Sequence, residues 1–196
     1  MPVSMRIRVI PALLLLVAGC STQQPPQKFP ELGWSRLPPF VLKAGHIEVV
    51  KVYVPSDQAP HVEMLPPRTL IDSADRWARD RLQAGGGSGF ARFIITDASM
   101  VEVALPVHTG LAYAFTTQQA KRYDAHVAVR LEIFDASGKP IGHATAEASN
   151  SRSVPQEVSQ RQLNETWYLI VEGAMVDLNS ELDRNIHAYL GPFLRP

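Results

Sequence analysis

The sequence contains a single cysteine, Cys20, so the chain cannot form an internal disulfide. Its six histidines are scattered without a His-x-His or His-Glu-x-x-His spacing, and no metal site is predicted. Neither sign of charge dominates, with 19 Lys and Arg against 19 Asp and Glu. Nucleic-acid binding requires a basic patch, so this balance argues against it. The fold must rest on packing alone, and the sequence implies no cofactor.

Long apolar runs are also missing, except for one short run from Ala12 to Val17. Arg6 and Arg8 precede this run and small residues follow it, an order typical of a secretory signal peptide. The run is too short to stay in a bilayer as a spanning helix. It ends in Val17-Ala18-Gly19-Cys20, which resembles the lipobox of bacterial lipoproteins. An ordinary secreted protein with an unmodified cysteine is the alternative interpretation.

The lipobox resemblance implies cleavage before Cys20, a diacylglycerol thioether on its thiol, and fatty acylation such as palmitate on the new first residue. Ser21 follows the cysteine, and lipoproteins without aspartate at that place usually go to the outer membrane. We therefore expect the periplasmic face of a Gram-negative outer membrane as the location. The predicted organisation is a signal peptide (1–19), a lipidated cysteine with a proline-rich tether (20–41) and a single periplasmic domain (42–196).

The first half of the domain predicts a strand, a helix and a further strand region. His46 to Val54 is β-branched and almost continuously apolar, which favours a central strand. Apolar residues at intervals of three and four between Leu70 and Leu82 predict a helix that is entered near Pro67 and stopped at Gly85. Phe90 to Leu105 predicts either one long bulged strand or two short strands. Before all of these, Trp34 and Phe40 are predicted to dock the end of the tether onto the domain.

The second half predicts a hairpin and a closing helix. Strict alternation of apolar and polar residues from Tyr123 to Ile133 predicts a half-buried antiparallel strand, and Ile141 to Ser151 returns beside it. Ser153 to Leu190 has helical spacing, with a possible break near Gly173. The return strand carries small residues on one face, which would let a helix approach closely: Gly142, Ala144, Ala146 and Ala148. The helix positions predicted to face the core are Leu163, Trp167, Ile170, Ala174, Leu178, Leu182, Ile186 and Tyr189.

These elements predict an α+β fold in the order βαβββα, with a mostly antiparallel sheet of about four strands and two helices on one face. The glycine-rich segment 85–89 matches neither a dinucleotide loop nor a nucleophile elbow, because Phe90 stands where each motif needs glycine. No pair of titratable residues has a spacing that assigns catalytic roles. We therefore predict no catalytic residues and a protein that is not an enzyme.

The long connection from Pro106 to Gln119 is the candidate binding segment. Leu111, Tyr113 and Phe115 alternate within it, and a connection of this length in a compact domain is often functional. One interpretation is a partner-binding edge formed by these three side chains. The other is a short hairpin strand packed on the domain.

The lipobox, the short tether, the element order and the hairpin with its small-residue strand together resemble auxiliary lipoproteins of ABC-type envelope transport systems. The resemblance implies a non-enzymatic accessory subunit that is anchored by its lipid and binds proteins of lipid transport or envelope assembly. One alternative is a structural or regulatory lipoprotein that binds a cell-wall enzyme. A hydrolase whose catalytic residues meet only in the folded chain is the third interpretation.

Overall fold

A computed structural model of the protein describes residues 27–107 and 118–196. These residues form an α+β fold in which a four-stranded sheet carries both helices on one face, which confirms the predicted class. The elements are β1 (Phe40–Leu42), β2 (Ile47–Lys51), α1 (Leu70–Arg81), β3 (Leu82–Ala84), β4 (Phe90–Ala104), β5 (Gln119–Phe134), β6 (Pro140–Pro155) and α2 (Gln160–Leu190), followed by one 3₁₀ turn (Gly191–Phe193).

The main sheet has the strand order β2-β4-β5-β6, with antiparallel pairing of β4 with β5 and of β5 with β6. Strand β5 supplies the centre of the core, because every second side chain from Tyr123 to Ile133 is at most 2% exposed. The alternation predicted from the sequence is thus confirmed, since one face of an antiparallel strand packs against helices while the other faces away.

Strand β4 is one long strand with a bulge. Ile95 lies opposite Val129 and Asp97 opposite Ala128, so Thr96 is the extra residue. The hydroxyl of Thr96 donates to the carbonyl of Ala128 at 2.9 Å. Of the two interpretations left open by the sequence, the single bulged strand is confirmed.

Strand β2 lies at an edge of the sheet, so the prediction of a central strand is wrong. Among the residues that the structure describes, it pairs only with β4, in parallel, and only over Ile47–Lys51. Beyond it, residues 60–62 continue along the same side of β4, through bonds such as Val62 N to Met100 O at 2.8 Å. The apolar run suggested a strand covered on both sides. In the structure Ile47 and Val49 pack on the core, whereas Val52 and Val54 lie beyond the strand and are exposed.

Helix α1 is shorter than the periodicity predicts. The side chain of Thr69 caps its N-terminus by accepting from Asp72 N, and the helix ends at Arg81 rather than running on toward Gly85. The reason is tertiary, because Leu82–Ala84 turns into a strand that pairs in parallel with Phe40–Leu42. Its core residue Trp77 is fully buried and stacks on Phe93 of β4 with 5.5 Å between ring centroids.

Two aromatic side chains, one before β1 and one at its first residue, belong to the core. Trp34 and Phe40 are 8% and 5% exposed, which agrees with their predicted docking role. The backbone N–H of Trp34 donates to Asp80 Oδ2 of α1 at 2.8 Å. The predicted tether (20–41) therefore contains two aromatic side chains on which the packing of the domain depends.

Helix α2 starts at Gln160, seven residues later than predicted, because β6 continues through Val154 to Pro155. Ser159 and Gln162 form a capping box at the true start. The helix runs without a break through Gly173. A Cβ at that position would lie 2.5 Å from Asn150 Nδ2, so glycine here provides space for a side chain of β6.

The buried face of α2 is largely as predicted, with Trp167, Ile170, Ala174, Leu178, Leu182 and Ile186 all at or below 4% exposed. Leu163 is partly buried. Tyr189 is 66% exposed and was wrongly assigned to this face, which Leu190 completes instead. Leu190 lies four positions after Ile186, and Tyr189 lies three positions after it. Both spacings fit an apolar helical face, and at the last turn the residue at the spacing of four is the one that faces the core.

The small-residue face of β6 lies beneath α2, as predicted. Ala144 and Ala146 are 1% and 4% exposed. Gly142 admits the ring of Phe193, whose Cε2 would be 2.6 Å from a Cβ at that position. Small side chains on this strand thus set how closely the C-terminal helix and turn approach the sheet.

Candidate functional site

The predicted site residues Cys20, Leu111, Tyr113 and Phe115 lie outside the described residues. The described flanks of the connection are still informative. Strands β4 and β5 pair up to Ala104 opposite Lys121, and Leu105 N donates to Ala120 O at 2.8 Å. The connection therefore joins two adjacent antiparallel strands at one end of the sheet.

Strand β6 forms the other edge of the sheet, and the direction of its backbone groups follows from β5. Leu105 N donates to Ala120 O, and Thr96 Oγ1 donates to Ala128 O, so even-numbered residues of β5 direct their backbone groups toward β4. Glu147 lies opposite Ala128. In an antiparallel ladder such a pair is not hydrogen-bonded, so the N–H and C=O of Glu147 point away from the sheet.

The same outward direction holds for every second residue on either side of Glu147. Asn185 Nδ2 of α2 donates to the carbonyl of Thr145 at 2.7 Å, as an outward carbonyl allows. Between Gly142 and Val154 the strand has neither lysine nor proline, two residues with which natural edge strands discourage pairing. Asn185 already occupies the carbonyl of Thr145, so the outward residues that form the candidate docking edge are Glu147, Ser149 and Ser151.

The face of the sheet opposite the helices carries several ion pairs. Arg92 Nε contacts Glu48 Oε2 at 2.8 Å, and Arg130 Nε contacts Glu132 Oε1 at 2.7 Å. Both pairs are partly exposed to solvent, so each adds little to the free energy of unfolding. These charged side chains allow this face of the sheet to be exposed to solvent.

His126 and Ser149 face each other on this polar surface, with 3.0 Å between Nδ1 and Oγ. Nucleophilic catalysis by serine requires a base that is itself oriented, commonly by a carboxylate. Within residues 27–107 and 118–196 no carboxylate hydrogen-bonds to His126, and no group of three or more His, Cys, Asp or Glu could hold a metal ion. The pair is accounted for as a cross-strand hydrogen bond.

A buried carboxylate organises the loop after β2, a feature that the sequence pattern does not predict. Glu63 is 3% exposed and accepts from Tyr53 Oη at 2.7 Å and from Ser56 N at 2.8 Å. His61 Nδ1 lies 3.2 Å from its second oxygen. Burial raises the pKa of Glu63, but the hydrogen bonds from Ser56 and Tyr53 outweigh burial and hold it below the ordinary value. Glu63 therefore ties residues 53–63 into a fixed loop.

Four exposed apolar residues neighbour Tyr53 and Glu63 in the sequence, and we call them the apolar patch. Val52 and Val54, which flank Tyr53, are 55% and 81% exposed. Met64 and Leu65, which follow Glu63, are 57% and 58% exposed. Each pair sits next to one partner of the Tyr53–Glu63 hydrogen bond, so the loop displays them from a rigid base. Large exposed apolar residues on one fixed loop are candidates for an interaction surface.

The first described residues leave the domain close to this loop, at what we call the tether root. Arg68 donates from Nη2 to Phe29 O at 3.0 Å and from Nε to Pro30 O at 3.3 Å. The ring of Phe29 packs on Tyr168 of α2, with centroids 5.2 Å apart. The predicted tether is therefore fixed both to Arg68, just before α1, and to α2 before it reaches Trp34.

No protein-family model matches this chain, and no curated protein matches it by sequence. Among solved structures, it is similar to a minor lipoprotein from Acinetobacter baumannii, with 10% identity, a TM-score of 0.36, and coverage of 74% of this chain and 94% of the other. It is also similar to rare lipoprotein B from Shewanella oneidensis, with 12% identity, a TM-score of 0.37, and coverage of 71% and 92%. Both neighbours are bacterial lipoproteins by name, and TM-scores this low do not establish a common fold.

No helix among the described residues is long and apolar enough to cross a membrane.

Proposed function

We propose that the protein is anchored through a lipid on Cys20 to the periplasmic face of the outer membrane of a Gram-negative bacterium. There it serves as a non-enzymatic accessory subunit of an envelope system for lipid transport or assembly. The lipobox sequence supports the anchor. The observation that carries the accessory role is the edge of β6, which offers a long row of backbone donors and acceptors.

A partner strand added to this edge would extend the four-stranded sheet by one. Backbone hydrogen bonds supply the affinity in such complexes, and side chains beside the edge supply the specificity. The edge from Glu147 to Ser151 carries short serine side chains, which leave a neighbouring strand room to approach. The described flanks of the β4–β5 connection, Leu105 and Ala120, lie at the end of the sheet toward which this part of β6 runs, so we expect the connection to supply a second contact with the partner.

Proline at Ser151 tests the edge directly. The backbone N–H of Ser151 points outward, so Ser151→Pro removes a donor for the partner without removing one for β5. Ser151→Ala is the matched control, because it removes the hydroxyl and keeps the N–H. We expect the acylated proline variant to lose a co-purifying envelope protein that the wild type and the alanine variant retain, while all three melt within a few degrees of one another.

Retention of the partner by a folded Ser151→Pro variant would overturn the docking edge. The identity of the partner tests the rest of the proposal. Recovery of transporter or substrate-binding components supports an accessory role in transport, whereas recovery of a cell-wall synthase would replace that role with regulation of wall synthesis.

A further inference from the structure

The apolar patch is held rigidly and lies near the tether root. Leu65 precedes Arg68 by three residues, so their Cα atoms lie within about 11 Å of each other at 3.8 Å per residue. Arg68 in turn binds the backbone of Phe29 and Pro30. The tether therefore joins the domain on the side chain of a residue three positions after Leu65.

The tether is too short to let the patch move far from the anchor. Nine residues separate Cys20 from Phe29, and a fully extended chain covers roughly 3.4 Å per residue, or roughly 30 Å in total. A surface held at such a distance is present at a high effective concentration. Even weak apolar contacts therefore suffice to dock the patch on that surface.

The chemistry of the patch favours a bilayer over an acidic ligand. Its four side chains are aliphatic, and the nearby cations are already engaged. Lys51 Nζ lies 3.5 Å from Asp72, and the guanidinium of Arg68 donates to the tether. Aliphatic side chains beside an anchor bind the boundary between headgroups and acyl chains, and this contact needs no anionic lipid.

We propose that the apolar patch, Val52, Val54, Met64 and Leu65, docks on the surface of the membrane in which the lipid of Cys20 is inserted. This inference rests on the proposed lipid anchor. Docking fixes the orientation of the domain, so that β2 and its loop face the membrane. The β6 edge, at the opposite side of the sheet, then faces away from the membrane and is accessible to a partner.

A polarity-sensitive dye on Met64→Cys tests the contact in the full acylated protein bound to phosphatidylcholine vesicles. Acylation of Cys20 leaves the new cysteine as the sole free thiol. Val176→Cys is the matched control, because Val176 is 55% exposed on α2, close to the 57% of Met64. We expect a blue-shifted emission and at least twofold quenching by lipids brominated in their acyl chains at position 64, and neither at position 176. Leu65→Cys replaces Met64→Cys if the latter fails to fold.

Co-sedimentation with the vesicles separates the two proposals. If the protein sediments but the dye at position 64 responds like the dye at 176, the membrane contact is overturned and the anchor stands. If the acylated wild type stays in the supernatant, the anchor is overturned and the contact with it. A blue shift at position 64 without quenching by brominated lipid would assign the patch to a protein contact and would also overturn docking on the membrane.

Discussion

Arg81 of α1 donates from Nη2 to Asp183 Oδ1 of α2 at 2.8 Å, although the arginine is 3% exposed and the aspartate side chain 47%. Arg81 also donates to the carbonyl of Pro38, and its guanidinium lies 4.6 Å from the ring centroid of Phe40. One buried cation thus joins α1, α2 and the segment before β1.

Removal of this carboxylate should destabilise the fold. We expect Asp183→Ala to lower the free energy of unfolding by about 1–3 kcal/mol, a range reduced from that of a fully buried pair because Asp183 is half exposed. Urea denaturation measures the change. Asp177→Ala, at an exposed position on the same helix, is the control, and an equal midpoint for both variants would show that Arg81 does not depend on Asp183.

Overpacking beneath α2 should also destabilise the fold. Ala146 is 4% exposed on the small-residue face of β6, so Ala146→Leu should cost about 1–3 kcal/mol of unfolding free energy. Glu147→Leu places the same side chain on the exposed face of the next residue and should cost much less. Denaturation midpoints of the two variants decide the matter, and the reverse order would contradict the packing described above.

The pH dependence of stability should reveal the contribution of ionised Glu63 to the free energy of unfolding. Its folded pKa is lowered from the ordinary value of 4.5, so its stabilising contribution is fully present above that value and is lost as the pH falls through the folded pKa. Glu63→Gln should therefore lower the unfolding free energy by about 1–3 kcal/mol at pH 7. The difference from the wild type should shrink below about pH 4. Urea midpoints from pH 7 to pH 3 test this, and a gap that is constant with pH would contradict it.

Metabolic labelling with a fatty acid tests the lipid anchor. We expect Cys20→Ala to accumulate as a precursor without label, because the thiol accepts the diacylglycerol that precedes cleavage. Ser21→Ala keeps the thiol and should be labelled like the wild type. Equal labelling of Cys20→Ala and the wild type would exclude the anchor.

The candidate residues of the connection require their own test. Replacing Tyr113 and Phe115 by serine should abolish co-purification of the partner and leave the melting temperature within a few degrees. A large fall in the melting temperature would instead assign these side chains to the core, which is the second interpretation of the connection. Lys139→Ser, at an exposed position in the β5–β6 turn at the far end of the sheet, controls for an unspecific effect of surface substitution.

The sequence predicted elements best where local pattern and tertiary packing agree. The alternation in β5 and the helical spacing in α2 identified most of the core, because one side of each element meets the same layer along its whole length. The position of a strand within the sheet was harder to predict from the sequence. The apolar run around β2 contains both Val49, which packs on the core, and Val54, which is exposed. The end of α1 depended on β1, a partner about forty residues earlier.

The Glu63 cluster could not be anticipated because its donors are separated along the chain and include a backbone N–H. A lone glutamate in a polar connection has no pattern that distinguishes it from a solvated side chain. The outward groups of β6 were equally hidden, since their direction depends on register rather than composition. The sequence predicted the hairpin but not which row of its backbone groups would be free for a partner.

Strand β1 also bonds to the last described residues, through Arg195 N to Val41 O and Lys43 N to Phe193 O, both at 2.8 Å. About 150 residues separate these partners along the chain, so this contact closes late. If the protein crosses the inner membrane from its N-terminus, Phe40–Leu42 reaches the periplasm long before residues 193–195 follow. A chain held midway through export would lack this closure, so it should remain sensitive to proteolysis until residues 193–195 have been released.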